Sequence, residues 1–318
     1  MTSRRLFIQI GALGVIAPAV FAQTKPVKVG VLSAITKSFY APVVIQRLGE
    51  LGYREGSTMA LEFRSAEGKA ERFPQLAQEL LALNCDLIIA IGPEDAARAL
   101  RDRQSNVPVV FLAIDYDPLE KGIVQSLVRP GRNMTGVTAL HKEIAVKRLE
   151  VAREVLPWAQ HFLVLSDRYN AEQLQVVKQA ADLTKTRLTI VELEPPHDYA
   201  SALEAGRRAK ANALVLLTSP VFADRRMDIL AAAVKARMPI IGFATPDAVF
   251  PIGYSASAVS MARRAGEIAV RILKGAKAGE IPVEQAQEFE LQVNLTAAKT
   301  LGMKIPYSIL ARTTRLVE

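Results

Sequence analysis

Cysteine is almost absent from this chain: Cys85 is the only one in 318 residues. No intramolecular disulfide can form, so the fold rests on packing. Cys85 lies in Leu83-Asn84-Cys85-Asp86, ahead of an apolar run, where a small buried thiol is expected rather than a reactive one. The three histidines, His141, His161 and His197, are far apart, and none belongs to an H-E-x-x-H or similar metal spacing. Also missing are a Gly-x-Ser-x-Gly nucleophile elbow, a Gly-x-x-x-x-Gly-Lys phosphate loop and a dinucleotide fingerprint. No motif therefore argues for catalysis, although a triad gathered from distant residues would leave no local signature. Aromatic residues make up 6% of the chain, and no basic stripe is interleaved with them, which speaks against nucleic acid as a partner. The net charge of +8 is dispersed among acids, as in Arg98–Arg103 and Lys142-Glu143. It suits solubility, or attraction to an acidic surface or ligand.

Nor is there an apolar run long enough to cross a bilayer comfortably; Ile10–Phe21 is too short. That stretch follows Arg4-Arg5 and ends in Val20-Phe21-Ala22 before Gln23. A basic start, a short apolar core and small residues at −3 and −1 read as a signal peptide over residues 1–22. Arg4-Arg5-Leu6-Phe7-Ile8 resembles a twin-arginine export signal, while Gln9 in place of the usual Lys leaves the general secretory route open. An exported, periplasmic protein beginning near Gln23 is expected.

What remains is long enough for two lobes with separate cores. Short β-type runs alternate with amphipathic helices throughout. Strands are expected at Val27–Leu32, Met59–Arg64, Asp86–Ile91 and Pro108–Ala113, with helices at Pro42–Leu51, Glu71–Leu83 and Glu94–Arg103. The second half gives helix Glu143–Leu156, strand His161–Ser166, helix Ala171–Lys185, strand Arg187–Leu193 and helix Tyr199–Lys210. Strand Ala213–Leu217, helix Asp224–Ala236 and strand Pro239–Phe243 follow. A long helix Tyr254–Lys274 and a strand Glu288–Val293 close the pattern as return crossings. Repeated βα units mean parallel sheets with helices on both faces. The fold class is α/β, with two doubly wound parallel-sheet lobes. The N-terminal lobe takes 23–137 plus 250–286, and the C-terminal lobe 138–249 plus 287–318.

Two segments carry a family resemblance: Asp117-Pro-Leu-Glu-Lys-Gly through Arg129-Pro-Gly-Arg-Asn-Met-Thr-Gly136, and Ile272-Leu-Lys-Gly through Leu301-Gly302 with Ile305-Pro306. Together with Leu51-Gly-Tyr-Arg-Glu-Gly56 they resemble ABC transporter substrate-binding proteins of the tryptophan and tyrosine uptake type. The resemblance spans nearly the whole chain after the signal peptide. It implies the type I periplasmic binding fold, with two lobes, a three-crossing hinge and a ligand cleft between them. Arg132 stands where the family usually has a second Gly, and Val249–Ala256 departs from a Gly-rich segment ending in Ser-Tyr-Gly. These changes bear on ligand identity more than on fold.

In open parallel sheets ligands bind beyond the carboxyl ends of strands. The ligand-binding candidates there are Ser33, Gly92, Pro93, Asp115, Ser166, Asp167, Ser219 and Phe243. Ser33 and Ser219 are hydroxyl donors for a carboxylate, and Asp115 or Asp167 is an acceptor for an ammonium. Tyr40, Tyr116, Tyr169, Phe222 and Tyr254 are candidates to stack on an apolar or aromatic group. For each the plainer role is a helix cap or a surface cover. Glu94 and Asp95 at a helix start disfavour an anion there.

The expectation is a non-enzymatic, exported solute receptor that closes on an amino acid or related small carboxylate. It would hand its ligand to an ABC permease in the inner membrane, as a monomer without metal or other cofactor. The competing readings are a sensory binding protein serving a receptor kinase and an exported α/β enzyme. Missing DNA-binding helices disfavour a transcription regulator.

Overall fold

In the computed structural model, which describes residues 25–318, the chain forms two α/β lobes. The expected signal peptide lies outside the described residues. The first stretch runs β1 (Val27–Ser33), α1 (Tyr40–Glu50), β2 (Met59–Ser65), α2 (Phe73–Ala82), β3 (Leu87–Gly92), α3 (Glu94–Arg101), β4 (Val109–Ala113) and β5 (Met134–Thr138). The chain then crosses into the second lobe with α4 (His141–Val155), β6 (His161–Ser166), α5 (Ala171–Leu183), β7 (Arg187–Glu192), α6 (Tyr199–Arg208) and β8 (Ala213–Leu216). That lobe continues with α7 (Pro220–Asp224), α8 (Arg226–Lys235), β9 (Ile240–Gly242) and β10 (Ile252–Ala256). It returns for α9 (Ala258–Leu273) and β11 (Glu284–Gln285), then crosses again into β12 (Phe289–Asn294), α10 (Leu295–Thr300), α11 (Tyr307–Leu310) and β13 (Arg315–Val317).

The first sheet has the order β11-β5-β4-β3-β1-β2 and is parallel throughout. The second has the order β13-β12-β10-β9-β8-β6-β7, parallel except where β12 runs against β10. Central strands such as β3 and β6 are buried at every residue, which is why they read as unbroken apolar runs. Each sheet is covered on both faces, giving four apolar clusters. Each fully buried Leu, Ile or Val in them contributes roughly 1.5–3 kcal/mol over its exposed state. Cys85 is part of this packing: its thiol is buried and donates to the Leu80 carbonyl at 3.4 Å, and burial raises its pKa. Among the described residues no helix is long and apolar enough to cross a membrane.

Three expected helices differ. The one placed at Glu71–Leu83 begins as a 3-10 turn, Ala70–Arg72, and becomes α-helical at Phe73. Pro74 sits in the first turn, where a missing N–H costs nothing. The helix placed at Asp224–Ala236 starts earlier and breaks at Arg225. The Ser219 side chain caps α7 by accepting from the Val221 and Phe222 amides, and Pro220 opens that helix. The helix placed at Tyr254–Lys274 starts only at Ala258, where the Ser257 hydroxyl caps it by accepting from Ser260 N–H. Residues 252–256 are instead β10, hydrogen-bonded into the second sheet and not the first. The alternation Ile252, Tyr254, Ala256 is a strand period, and the helical reading ran through it.

The chain passes between lobes at 139–140, at Ser257 and at 286–288. The crossings are tied together: Ala286 N–H donates to Thr138 O at 2.8 Å, and Ser257 N–H to Glu288 O at 2.9 Å. Leu140 turns the first crossing with φ 58°. α9 and α1 pack closely over the first sheet. A Cβ at Gly266 would come within 3.0 Å of the Arg47 side chain, so glycine permits that approach.

Candidate functional site

The carboxyl ends of both sheets face one another across a cavity of about 70 Å³. The first lobe supplies the ends of β1, β3, β4 and β5 with the start of α1: Ser33, Ser38, Phe39, Tyr40, Gly92, Asp115 and Ala139. The second supplies the turns after β8 and β9 together with β10: Thr218, Ser219, Phe243, Ala244 and Ser255. His141 and Ile144 of α4 close one side. The wall is largely apolar, broken by a few polar groups, as small-molecule sites generally are. Gly92 has φ 115°, and a Cβ there would lie 3.1 Å from that of Ala34, so the β3 turn can sit close to the β1 turn.

Of the expected residues, Ser33, Tyr40, Gly92, Asp115, Ser219 and Phe243 line this cavity. Their hydrogen bonding separates them. Ser33 Oγ donates to the Ile35 carbonyl at 2.8 Å, and Ser219 Oγ donates to the Asp167 carboxylate. Both seryl protons are thus already engaged within the protein. Asp167 also accepts from the Tyr169 amide at 2.9 Å. Burial raises its pKa to about 6 despite the Ser219 hydrogen bond. Asp115 differs from it. The side chain is buried, and among the described residues no other residue gives either carboxylate oxygen a hydrogen bond. Burial, reinforced by the nearby charge of Asp167, raises its pKa well above the ordinary 3.8. Tyr40 is held protonated by burial and by the negative charge of Asp115.

Pro93, Tyr116 and Tyr169 do not reach this cavity. With Asp115 they border a second, polar one of about 150 Å³ between the lobes. Tyr116 packs in the core of the first lobe and is 3% exposed. In the polar cavity Lys121 of the first lobe bonds Glu172 of α5 at 2.6 Å and Glu94 at 3.1 Å. Arg168 of the second lobe reaches Asp95 at 3.8 Å. Glu94 also pairs with Arg98 at 2.7 Å, so cations cover the two acids that open α3. His141 Nε2 lies 3.1 Å from Glu172, and burial lowers its pKa.

Ser166, Asp167 and Tyr169 edge a third, open groove. Ser166 Oγ donates to Asn170 Oδ1 at 2.8 Å, which ties the turn leading into α5. Phe222 is fully buried in the second lobe against Tyr199. Tyr254 borders none of these cavities. It lies on β10, its ring stacks on Phe289 with centroids 6.3 Å apart, and its neighbours Ser255 and Ala256 line the main cavity instead.

Sequence reasoning did not single out Thr218, Ser38, Phe39, His141 or Ser255 as cavity residues, nor Arg148 behind it. Arg148 left a signal: it lies four residues after Ile144 and four before Ala152, on the apolar stripe of α4. A charge on that stripe is either misplaced or at work. Arg226 of α8 covers the Phe39 ring at 5.0 Å, a further contact between lobes.

This architecture recurs in solved structures. A conserved domain protein from Vibrio cholerae is 25% identical, superposes with a TM-score of 0.83, and the match covers 92% of this chain and 100% of that one. A Streptococcus pneumonia ABC domain in complex with L-Trp is 22% identical, with a TM-score of 0.81 and the same coverage. The curated Tyrosine-binding protein of Clostridioides difficile is 25% identical over 283 residues, 82% of this chain and 75% of that protein. Residues 29–317 match the family described as ABC transporter substrate binding protein. With that match across nearly all the described residues, on two parallel-sheet lobes with a cavity between their strand ends, the chain belongs to the ABC transporter substrate-binding proteins.

Proposed function

We propose that this protein is the exported receptor of an ABC importer and closes its lobes on an α-amino acid with an apolar or aromatic side chain. The observation that carries the reading is Asp115. Its buried carboxylate has no partner among the described residues and faces a largely apolar cavity, and a ligand ammonium would supply the missing one. Apolar surfaces from both lobes would receive the side chain. A ligand touching both lobes stabilises the closed state through its differential affinity for that state. A cavity this small between two lobes fits a hinge that opens to admit ligand. The names of two similar proteins point the same way, one called tyrosine-binding and one solved with L-Trp. Delivery to an inner-membrane permease, export through the segment 1–22 and a monomeric receptor complete the proposal.

Thermal unfolding of ligand-stripped protein against amino acids, their decarboxylated amines and small carboxylates tests it. Ligand at about 100 times its Kd adds about 2.7 kcal/mol, a shift of several degrees. Stabilisation by one or more apolar amino acids, with no product formed, is the expected result. A panel in which only acids lacking an amine stabilise the protein would refute it.

A further inference from the structure

Arg148 is fully buried, and none of the ion pairs among the described residues gives it a carboxylate. Its guanidinium donates from Nη1 to Leu216 O at 2.8 Å and from Nη2 to Tyr254 O at 2.9 Å. Nε also donates to Tyr254 O, at 3.2 Å. The remaining partner is a side chain: Nη2 donates to Thr218 Oγ1 at 3.1 Å. One face of the guanidinium looks over the Phe243 ring at 6.0 Å. Burial lowers its pKa to about 9, which still leaves a cation at neutral pH. A buried charge without an anion is costly, and arginine is rarely found so.

Thr218 is where this charge meets the cavity. A guanidinium only donates, so Thr218 Oγ1 must accept from it. The hydroxyl proton is then left to point elsewhere, and no acceptor among the described residues takes it, while Thr218 lines the cavity. The Thr218 backbone is held by Gln173, whose Oε1 accepts from Thr218 N–H at 2.9 Å and whose Nε2 donates to Thr218 O at 2.9 Å. The donor is therefore fixed in place before any ligand arrives. The cavity thus has an unpartnered carboxyl group on its first-lobe side, ready to ionise beside an ammonium, and a buried cation one residue behind its second-lobe side.

Resting on the amino-acid reading above, we propose that Thr218 and Arg148 form the carboxylate end of the site. Thr218 donates to the ligand carboxylate. Arg148 is a positioning residue that sets the direction of that hydroxyl and supplies positive potential opposite Asp115. The preferred ligand is accordingly a zwitterion that spans the two lobes, amine toward Asp115 and carboxylate toward Thr218. Closure and recognition of the free α-carboxylate become one event, because neither lobe alone offers both charges.

Isothermal titration of the full protein with L-tryptophan against tryptamine, and L-tyrosine against tyramine, tests this, since each pair differs only in the carboxylate. The wild-type protein should bind the better amino acid roughly 10- to 100-fold more tightly than its amine. Thr218→Val, which keeps the side-chain shape, should weaken the amino acid about tenfold or more and leave the amine nearly unchanged. Arg148→Met should shrink the gap between amino acid and amine, and Arg148→Lys should retain part of it. If Arg148→Met does not fold, Thr218→Val decides. A merely structural role would weaken amine and amino acid alike in both variants, and that result overturns the proposal. So does equal binding of amine and amino acid to the wild-type protein, even with the receptor reading intact. Failure of both amino acids and both amines to bind would instead overturn the receptor reading for aromatic ligands, and this inference with it.

Discussion

Replacing Asp115 with asparagine should make the ligand-free protein more stable and a worse receptor. The wild-type carboxyl is buried without a partner, so folding favours its protonated form. The folded state then holds a proton that the unfolded state releases near pH 3.8, and stability falls as pH rises from there through the raised folded value. At pH 7 the cost is bounded by that of keeping the carboxyl neutral, about 1.4 kcal/mol per pH unit above 3.8, or about 4 kcal/mol. An asparagine there is not free, because an unsatisfied buried amide costs about 1–3 kcal/mol. The net gain for Asp115→Asn is therefore at most about 1–3 kcal/mol at pH 7, shrinking to nothing or reversing by about pH 4. Urea unfolding of ligand-stripped wild type and variant across that range measures it. Titration at pH 7 should show the variant binding its amino acid about 10- to 100-fold more weakly, the loss expected for one charge-assisted hydrogen bond. A stability difference that does not change with pH, or a variant that binds as well as wild type, would refute the reasoning.

Two further outcomes follow from other parts of the molecule. Lys121→Ala removes the cation that joins Glu94 of one lobe to Glu172 of the other. It should weaken ligand about two- to fivefold by titration in about 20 mM salt, and by nothing measurable in about 0.5 M. A loss of the same size at both salts would mean that Lys121 does not act by holding the lobes closed electrostatically. Gly136→Ala places a Cβ inside contact distance of the Phe111 carbonyl oxygen, at the centre of β5 where it pairs with β4. A melting curve should show destabilisation of more than about 2 kcal/mol, and a variant within a degree of wild type would be incompatible with that packing.

Much of the scaffold was legible because buried parallel strands and amphipathic helices write themselves locally. His161–Ser166 reads as a strand and is β6, residue for residue. β10 was missed because its period of two runs directly into the α9 pattern, although Ser257 marks the join as a cap. The cavity was legible only as a set of strand ends. Nothing local distinguishes Asp115 from Asp167, since both follow strands and both carry a carboxylate. The difference is that Ser219, fifty-two positions away from Asp167, satisfies one and nothing satisfies the other. The same holds for the serines. Their hydroxyls were visible in the sequence, but the acceptors that use up their protons were not.

The threading of the chain between lobes also governs the order in which the molecule can be built. The first sheet lacks its edge strand β11 until Gln285 has been made. One of its faces has only α1 over it until Met261, Ala265, Ile268 and Ala269 of α9 join Val29, Leu87 and Val110 in one cluster. A growing chain that has reached only Thr138 therefore carries five strands with one face only partly covered. The first lobe cannot be completed until most of the second has been synthesised, and the second ends only with β13. Cutting the gene at the apparent midpoint would yield two sticky fragments rather than two small proteins. The same interlacing gives a newly made chain a long interval before it is compact, during which it can still be handled as an unfolded strand.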